Sequence, residues 1–343
     1  MPASKDVQET RERQVYLAAR RHYIDGETME TIARELGVSR PKVSRLLLRA
    51  RETGVVRISL AEPPGSDSPT ARRIAEMFGI NVHIANVCDK ASATERLRAV
   101  AVEAAALLDA LVTDGTSLGI AWGVTSAQVA RELKPQAVSG VNVVQMNGAT
   151  HAHDSSAPYI GSLLQAFATN YGNAHVIPFP VPTFFDHAST REAMWRERSI
   201  RNVLASITSL DVALFGVGYP HARIPSHVYA AGHVEPADLA EAIDQGAVGD
   251  VCTVLLRADG SHDGIRLNTR ATGPSPDMVQ SIAHRVCVVG DPSRTVALLA
   301  ALRAGVVTDL VIDDVTARSL ARMMQNPPHA AARRGYPDSS RRS

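Results

Sequence analysis

"TIARELGVSRPKVSRLLLRARETG", Thr31 to Gly54, carries five cations, Arg40, Lys42, Arg45, Arg49 and Arg51, within twelve residues, with no acid until Glu52. The apolar residues of the stretch fix where those cations point. Val43, Leu46, Leu47 and Ala50 recur at i, i+3, i+4 and i+7 and make one helical stripe. Upstream, Ile32, Ala33 and Leu36 make a shorter stripe that ends at Gly37, a residue suited to the positive φ of a turn out of a helix. Thr28 and Ser39 stand where N-caps belong, and Pro41 is tolerated in a first turn, where its missing N–H has no partner to lose. Ala33 permits close helix contact, and Val38 plugs the corner. The pattern predicts a helix-turn-helix.

On the second helix, the face opposite the stripe carries Pro41, Ser44, Arg45 and Leu48, the residues expected to look into a major groove. Arg45 is the expected base reader. Ser39, Lys42 and Arg49, with Arg40 and Arg51 on the other flank, are placed to meet phosphates on either side of the groove. After Gly54 the run "VVRISL" alternates like a short strand, which predicts a winged variant with Arg57 near the DNA backbone.

At 343 residues the chain is long enough for a second, larger core. Its net charge of +1 does not itself point to nucleic acid, so the basic signal is local. A hydrophobic content of 45% and an aromatic content of 4% describe an aliphatic-rich soluble chain. No apolar run approaches the ~18 residues of a membrane span, and "MPASKDVQETRER" is too polar for a signal peptide, so a cytoplasmic protein is expected. Cys88, Cys252 and Cys287 are odd in number and far apart, which predicts buried, reduced thiols with neither disulfide nor zinc.

Punctuation divides the chain into a DNA-binding domain over 1–61, a linker over 62–69 ("EPPGSDSP"), an effector domain over 70–326 and a disordered tail over 327–343. In the larger domain, aliphatic strands alternate with turns and amphipathic helices. "SLGIAWG" leads to "VTSAQVAREL", "VNVVQMNGAT" and "DVALFGVG" end in polar or glycine turns, "HRVCVVGDPSR" precedes "TVALLAALRAG", and "TDLVIDD" precedes "VTARSLARMM". The class predicted is α/β: a small winged helix-turn-helix domain followed by a Rossmann-like open parallel sheet with helices on both faces. Ligands of such sheets bind outside the carboxyl ends of the strands, where the strand order reverses.

"AWGVTS" carries suitable chemistry for that position. Gly123 admits close backbone approach, and Thr125 and Ser126 open a helix whose free N–H groups favour an anion. "GDPSRT" repeats the design with Ser293 and Arg294. Two anion-receptive turns point to a phosphorylated small molecule, although neither a Walker lysine pattern nor an intact GxGxxG is present. His151, His153 and Asp154 read as ligand-contacting or solvated groups, and His221, His227 and His233 give no metal spacing. Asp309, Asp313 and Asp314 read as caps of the following helix. No metal and no cofactor is expected.

Taken in order, "GVSRPKVSRLLLRARETGVVRISL", "LGIAWGVTSAQVA", "VVQMNGA", "ALFGVG", "GAVGD", "ADG", "LNTR" and "AALRAGVVTDLVIDDVTA" resemble the SorC family of sugar-binding transcriptional regulators, from about Arg13 to Met324. The resemblance implies an effector domain similar to phosphosugar isomerases joined to a winged helix-turn-helix. It also implies a homodimer or homotetramer whose affinity for operator DNA responds to a phosphorylated sugar or polyol effector. Carried over by motif, Gly123, Thr125 and Ser126 would hold phosphate, Gln145, Asn147, Gly148 and Asp250 would line the sugar beside the Gly216 and Gly218 turn, and the "GDPSR" loop would close on the anion. That loop departs from the family, which often has a glycine pair and a lysine there; this chain has Gly290, Asp291, Pro292, Ser293 and Arg294. Some relatives hold an aldehyde effector as an imine on lysine. Here Asn147 stands in the motif, and the larger domain has only Lys90 and Lys134, so noncovalent binding is expected. A phosphosugar isomerase-like enzyme with an appended DNA-binding module is the alternative, and an architectural DNA-binding protein is a third.

Overall fold

A computed structural model describes residues 3–56, 68–88, 90–149, 156–220, 226–230 and 232–325, the side chains of 3–11, 52, 156–158, 227 and 230 aside. The chain divides into two compact units, Met1–Ser66 and Asp67–Ser343. Residues 57–60 of the predicted wing, Arg57 among them, residues 62–67 of the predicted linker and the predicted tail lie outside the described residues. Ser68 and Pro69, read as linker, instead open a helix: the Ser68 hydroxyl accepts from the Ala71 N–H, and Pro69 sits where a missing N–H does no harm.

The first unit holds α1 (Ala3–Tyr23), α2 (Met29–Glu35) and α3 (Arg40–Glu52). The stripe of α3 is buried as its spacing predicts, with Val43, Leu46, Leu47 and Ala50 all at most 6% exposed. It packs with Ile32 and Ala33 of α2 and with Val15, Ala18 and Ala19 of α1, while Val38 packs against the same cluster from the corner. Gly37 turns the chain at φ 62°. Thr28 caps α2 by accepting from the Thr31 N–H at 3.2 Å. Ser39 occupies the N-cap position of α3 in extended backbone, but its side chain makes no capping bond.

The described residues of the second unit form ten strands: β1 (Asn81–Ala85), β2 (Ser117–Ile120), β3 (Asn142–Gln145), β4 (His175–Ile177), β5 (Val212–Phe215), β6 (Val217–Gly218), β7 (Ala247–Val251), β8 (Val254–Arg257), β9 (His284–Val289) and β10 (Asp309–Asp313). Its helices are α4 (Pro69–Phe78), α5 (Ala93–Leu111), α6 (Val124–Glu132), α7 (Ser156–Asn170), α8 (Ala188–Met194), α9 (Arg198–Thr208), α10 (His227–Ala230), α11 (Pro236–Asp244), α12 (Pro276–Gln280), α13 (Thr295–Arg303) and α14 (Asp314–Gln325). Seven strands form one parallel sheet in the order β1-β10-β9-β5-β2-β3-β4. Alternate residues of each strand enter two separate cores. Ala213, Phe215, Cys287, Leu310 and Ile312 face one core with α9, α13 and α14; Val212, Leu214, Val286, Val288 and Val311 face the other with α5, α6 and α7. Burial on both faces explains why these strands read as near-continuous apolar runs.

A second, three-stranded antiparallel sheet, β6-β7-β8, was not predicted from the sequence. β7 and β8 are joined by the two residues Cys252 and Thr253. Cys252 and Cys287 are buried as expected, but Cys88 is exposed, because it follows an edge strand into a polar turn. Asp309 also departs from expectation: it starts β10 and caps no helix, whereas Asp313 accepts from the N–H groups of Val315 and Thr316 at the head of α14. Asp314 pairs with Arg318 one turn on. No helix among the described residues is long and apolar enough to cross a membrane.

Candidate functional site

In the first unit, Pro41, Lys42, Ser44, Arg45 and Leu48 are exposed on the side of α3 away from its core, with Leu48 at 55% exposure. Arg45 folds its Nε back to the Pro41 carbonyl at 3.4 Å. Arg49 is half-buried, and neither it nor Lys42 has an ion-pair partner among the described residues. The outer flank is engaged within the unit: Arg40 approaches Glu30 at 4.0 Å, and Arg51 donates to the Tyr23 hydroxyl of α1 at 2.9 Å.

In the second unit the order of strands reverses between β2 and β5: β3 and β4 follow β2 on one side, and β9, β10 and β1 lie beyond β5 on the other. A cleft with about 570 Å³ of empty space, open to solvent at its mouth, sits at the carboxyl ends of these two strands. Ala121 through Ser126 after β2, Asn147 after β3, and Gly216 through Gly218 after β5 line it, together with Ser226, Val228, Asp250, Cys252, Thr253 and Arg294. Of the residues the sequence nominated, Gly123, Thr125, Ser126, Asn147, Gly216, Gly218, Asp250 and Arg294 therefore meet around one cavity. Gln145, Gly148 and Ser293 do not line it.

The first turn of α6 begins at Gly123, whose carbonyl accepts from the Ala127 N–H at 3.0 Å. The N–H groups of Val124, Thr125 and Ser126 precede that bond and have no intrahelical acceptor. They make this end of the cleft receptive to an anion. The Ser126 hydroxyl donates to the Ala121 carbonyl at 2.6 Å, so it braces the turn. A Cβ at Gly123 would meet nothing within 4 Å, so the fold itself does not demand glycine there.

Gln145 and Gly148 hold the loop that delivers Asn147. The Gln145 amide donates to the Asn147 carbonyl at 2.8 Å and accepts from the Phe179 N–H at 3.0 Å. Gly148 accepts from Trp122 Nε1 and the Thr183 hydroxyl, and a Cβ there would lie 2.2 Å from the Pro182 carbonyl oxygen. Gly218 is required for a similar reason: its Cβ would fall 1.7 Å from Asp250 Oδ1.

Asp250 is 6% exposed, accepts from the Tyr229 hydroxyl at 2.5 Å and from the Thr253 N–H at 3.0 Å, and lies near Arg294. Burial pushes its carboxyl above the usual carboxylate range, and those hydrogen bonds and Arg294 offset this only in part. Burial likewise pushes the Tyr229 phenol well up, with Asp250 adding to it. Arg294 donates to the Val217 carbonyl at 2.6 Å and the Ser226 hydroxyl at 3.0 Å, and its Nε lies 3.6 Å from Asp291. Burial lowers its pKa, opposed by Asp291 and Asp250. Ser293 closes a turn on Asp291 through both its N–H and its hydroxyl.

The sequence reading missed Cys252, Thr253, Ser226 and Val228. "GDVCTVLL" held a signal for the first two, since two aliphatic runs separated by two residues are a hairpin, but without Asn-Gly the turn is not conspicuous. Of the histidines, His151, His153 and His221 lie outside the described residues, and His233 is buried with Nδ1 3.0 Å from the Thr183 hydroxyl. Among the described residues no group of three or more His, Cys, Asp or Glu could hold a metal ion.

A helix-turn-helix unit followed by a doubly wound sheet with an anion-receptive cleft at its switch point defines a ligand-responsive DNA-binding protein. Residues 64–322 match Sugar-bind, a family of sugar-binding domains. The chain belongs to the SorC family of sugar-binding transcriptional regulators. It is 29% identical over 308 residues to the deoxyribonucleoside regulator of Bacillus subtilis (strain 168), covering 88% of this chain and 95% of that protein. Among solved structures, a domain of a "possible sugar-binding transcriptional regulator" from Arthrobacter aurescens TC1 is 39% identical with a TM-score of 0.70, covering 76% of this chain and all of that one. The full-length sorbitol operon regulator SorC from Klebsiella pneumoniae shares the fold at 23% identity and a TM-score of 0.69, over 90% of this chain and 98% of that one.

Proposed function

We propose that the first unit binds operator DNA through α3, and that a phosphorylated sugar or polyol in the switch-point cleft controls that binding. The observation that carries this reading is the convergence, around one cavity, of the α6 amino terminus and Arg294 with Asn147 and Asp250. The first pair suits a phosphate and the second a hydroxylated carbon chain. In the first unit Arg45 reads bases and Lys42 and Arg49 meet phosphates, with Leu48 against a base edge. One such helix reads only a few base pairs, so the working form is a homodimer or homotetramer on half-sites spaced by whole helical turns. An effector that weakens operator binding must itself bind the DNA-bound state less well, by the same factor.

The regulatory reading is preferred to catalysis on a specific point. The thiol in the cleft, Cys252, is a poor nucleophile, because burial, with Asp250 adding to it, pushes its pKa far above the ordinary thiol range.

The test is a thermal-shift screen of sugar and polyol phosphates, followed by operator binding with each hit. A hit raises the melting temperature with concentration and changes operator affinity. Turnover of a hit by the purified protein favours the enzyme, and no hit together with unaltered operator binding favours an architectural role. On DNA, Arg45→Ala costs roughly 1 to 3 kcal/mol of operator affinity and flattens base preference, whereas Lys42→Ala weakens all sequences and lowers the salt slope by about one. Equal losses on operator and random DNA for both variants would overturn the division of roles.

A further inference from the structure

The turn between β7 and β8 holds Cys252 at φ 49° and Thr253 at φ 74°. Positive φ at both central residues is the geometry of the tightest hairpins, which Asn-Gly adopts most readily. A side chain crowds the backbone in that region, a β-branched one most of all. Thr253 therefore keeps strain that glycine would not.

The same residue carries a second unfavourable feature. It is 1% exposed, and its hydroxyl has no hydrogen-bond partner among the described residues. A hydroxyl buried alone is destabilising. Thr253 is alone among the described residues in combining positive φ outside glycine with an unpartnered buried polar atom.

Neither feature serves the fold. The contact that does, the Thr253 N–H to Asp250 Oδ2 at 3.0 Å, is a backbone bond that glycine would make equally well. Thr253 does line the cleft, and so does Asn147, which is 2% exposed with an Oδ1 that also has no partner among the described residues. A threonine hydroxyl both donates and accepts, and an asparagine amide has a donor end and an acceptor end. Such a pair matches hydroxyl groups on a carbon chain, and a site of this kind rejects the analogue that lacks the hydroxyl because its own polar groups then stay unpaired.

We propose that Thr253 is a specificity-determining residue of the cleft, which with Asn147 hydrogen-bonds hydroxyls of a bound sugar or polyol phosphate and selects it over the corresponding deoxy compound. This rests on the reading of the cleft as the effector site. The strain and the unmet hydroxyl are then features kept for the ligand.

The experiment is calorimetric titration of the full chain and of Thr253→Ser, Thr253→Val and Thr253→Gly with aldose, ketose and polyol phosphates, each beside its monodeoxy analogues. For the phosphate that wild type binds most tightly, Thr253→Val and Thr253→Gly lose about tenfold in affinity, while Thr253→Ser stays within about twofold. One deoxy analogue binds wild type about tenfold more weakly and is indifferent to Thr253→Val. In the absence of ligand, Thr253→Gly melts higher than wild type, so its loss of affinity cannot be put down to misfolding. Binding by the valine and glycine variants that matches wild type, or an equal loss for the parent sugar and all its deoxy forms, overturns the inference and leaves the effector site standing. Failure of wild type to bind any of the phosphates overturns both.

Discussion

Two buried carboxylates lie at opposite ends of the second unit, and their surroundings differ in kind. Asp309, 4% exposed at the start of β10, accepts from Asn81 Nδ2 at 2.9 Å and from the Thr308 hydroxyl at 2.8 Å, with His83 Nε2 at 3.6 Å. Burial pushes it up, but His83, Asn81 and Thr308 outweigh burial and hold its carboxyl down at about 2. At Asp250, beside the cleft, burial outweighs Tyr229, the Thr253 N–H and Arg294, and its carboxyl is pushed up instead. Around it stand a threonine and an asparagine with unpartnered atoms and two residues in left-handed backbone. The carboxylate at the structural end is held ionised by its neighbours, while the one beside the cleft is not.

The largest effect that can break this comparison is at Gly218. An added Cβ would coincide with Asp250 Oδ1, and the carboxylate cannot swing aside without losing Tyr229 and the Thr253 N–H. Gly218→Ala is expected to destabilise the second unit by about 3 kcal/mol and to abolish effector binding. A variant as stable as wild type in urea would mean that Asp250 is not pinned where it stands.

Next comes Arg294, which clamps three segments: the start of β6 through Val217, Ser226, and Asp291. Its side chain is only 18% exposed, so removing it strands polar groups away from water. Arg294→Ala should lower stability by about 2 to 3 kcal/mol even without ligand. A midpoint of urea unfolding that does not move would assign Arg294 wholly to the ligand.

How much of this was legible in the sequence depends on how local the cause is. The recognition helix was read almost whole, because the spacing of Val43, Leu46, Leu47 and Ala50 and the turn at Gly37 lie within one short window. The parallel sheet was legible because strands buried on both faces read as apolar runs. α1 was not read, although Val15, Ala18 and Ala19 carry the spacing of one buried face. The cleft was half legible. Residues in glycine turns after strands could be nominated, but that Ser226 and Thr253 join them is a product of chain crossing, which no local pattern encodes. Gln145 and Gly148 show the converse: the motif marked them for the ligand, and their hydrogen bonds and packing place them behind Asn147.

The smallest expected effect belongs to Asp309, and it sharpens the contrast because it should be invisible to the ligand. Asp309 has a folded pKa of about 2 against an ordinary value of 3.8, so the folded state favours its ionised form. The stability this gives is fully present above the unfolded value, near pH 4, and is lost as pH falls through the folded value, near pH 2. A difference of that size corresponds to at most about 2.5 kcal/mol. Asp309→Asn removes the charge at every pH. Urea unfolding of the two proteins in parallel should then show the gap between them at its full width at neutral pH, narrowing between about pH 4 and pH 2, while other carboxylates titrate alike in both. At neutral pH the variant should bind the same effector with the affinity of wild type, since Asp309 stands at the amino end of β10 and does not line the cleft. A gap that stays constant with pH would show that the donors around Asp309 do not depress its titration. A change in effector affinity would show that the two ends of the sheet are coupled.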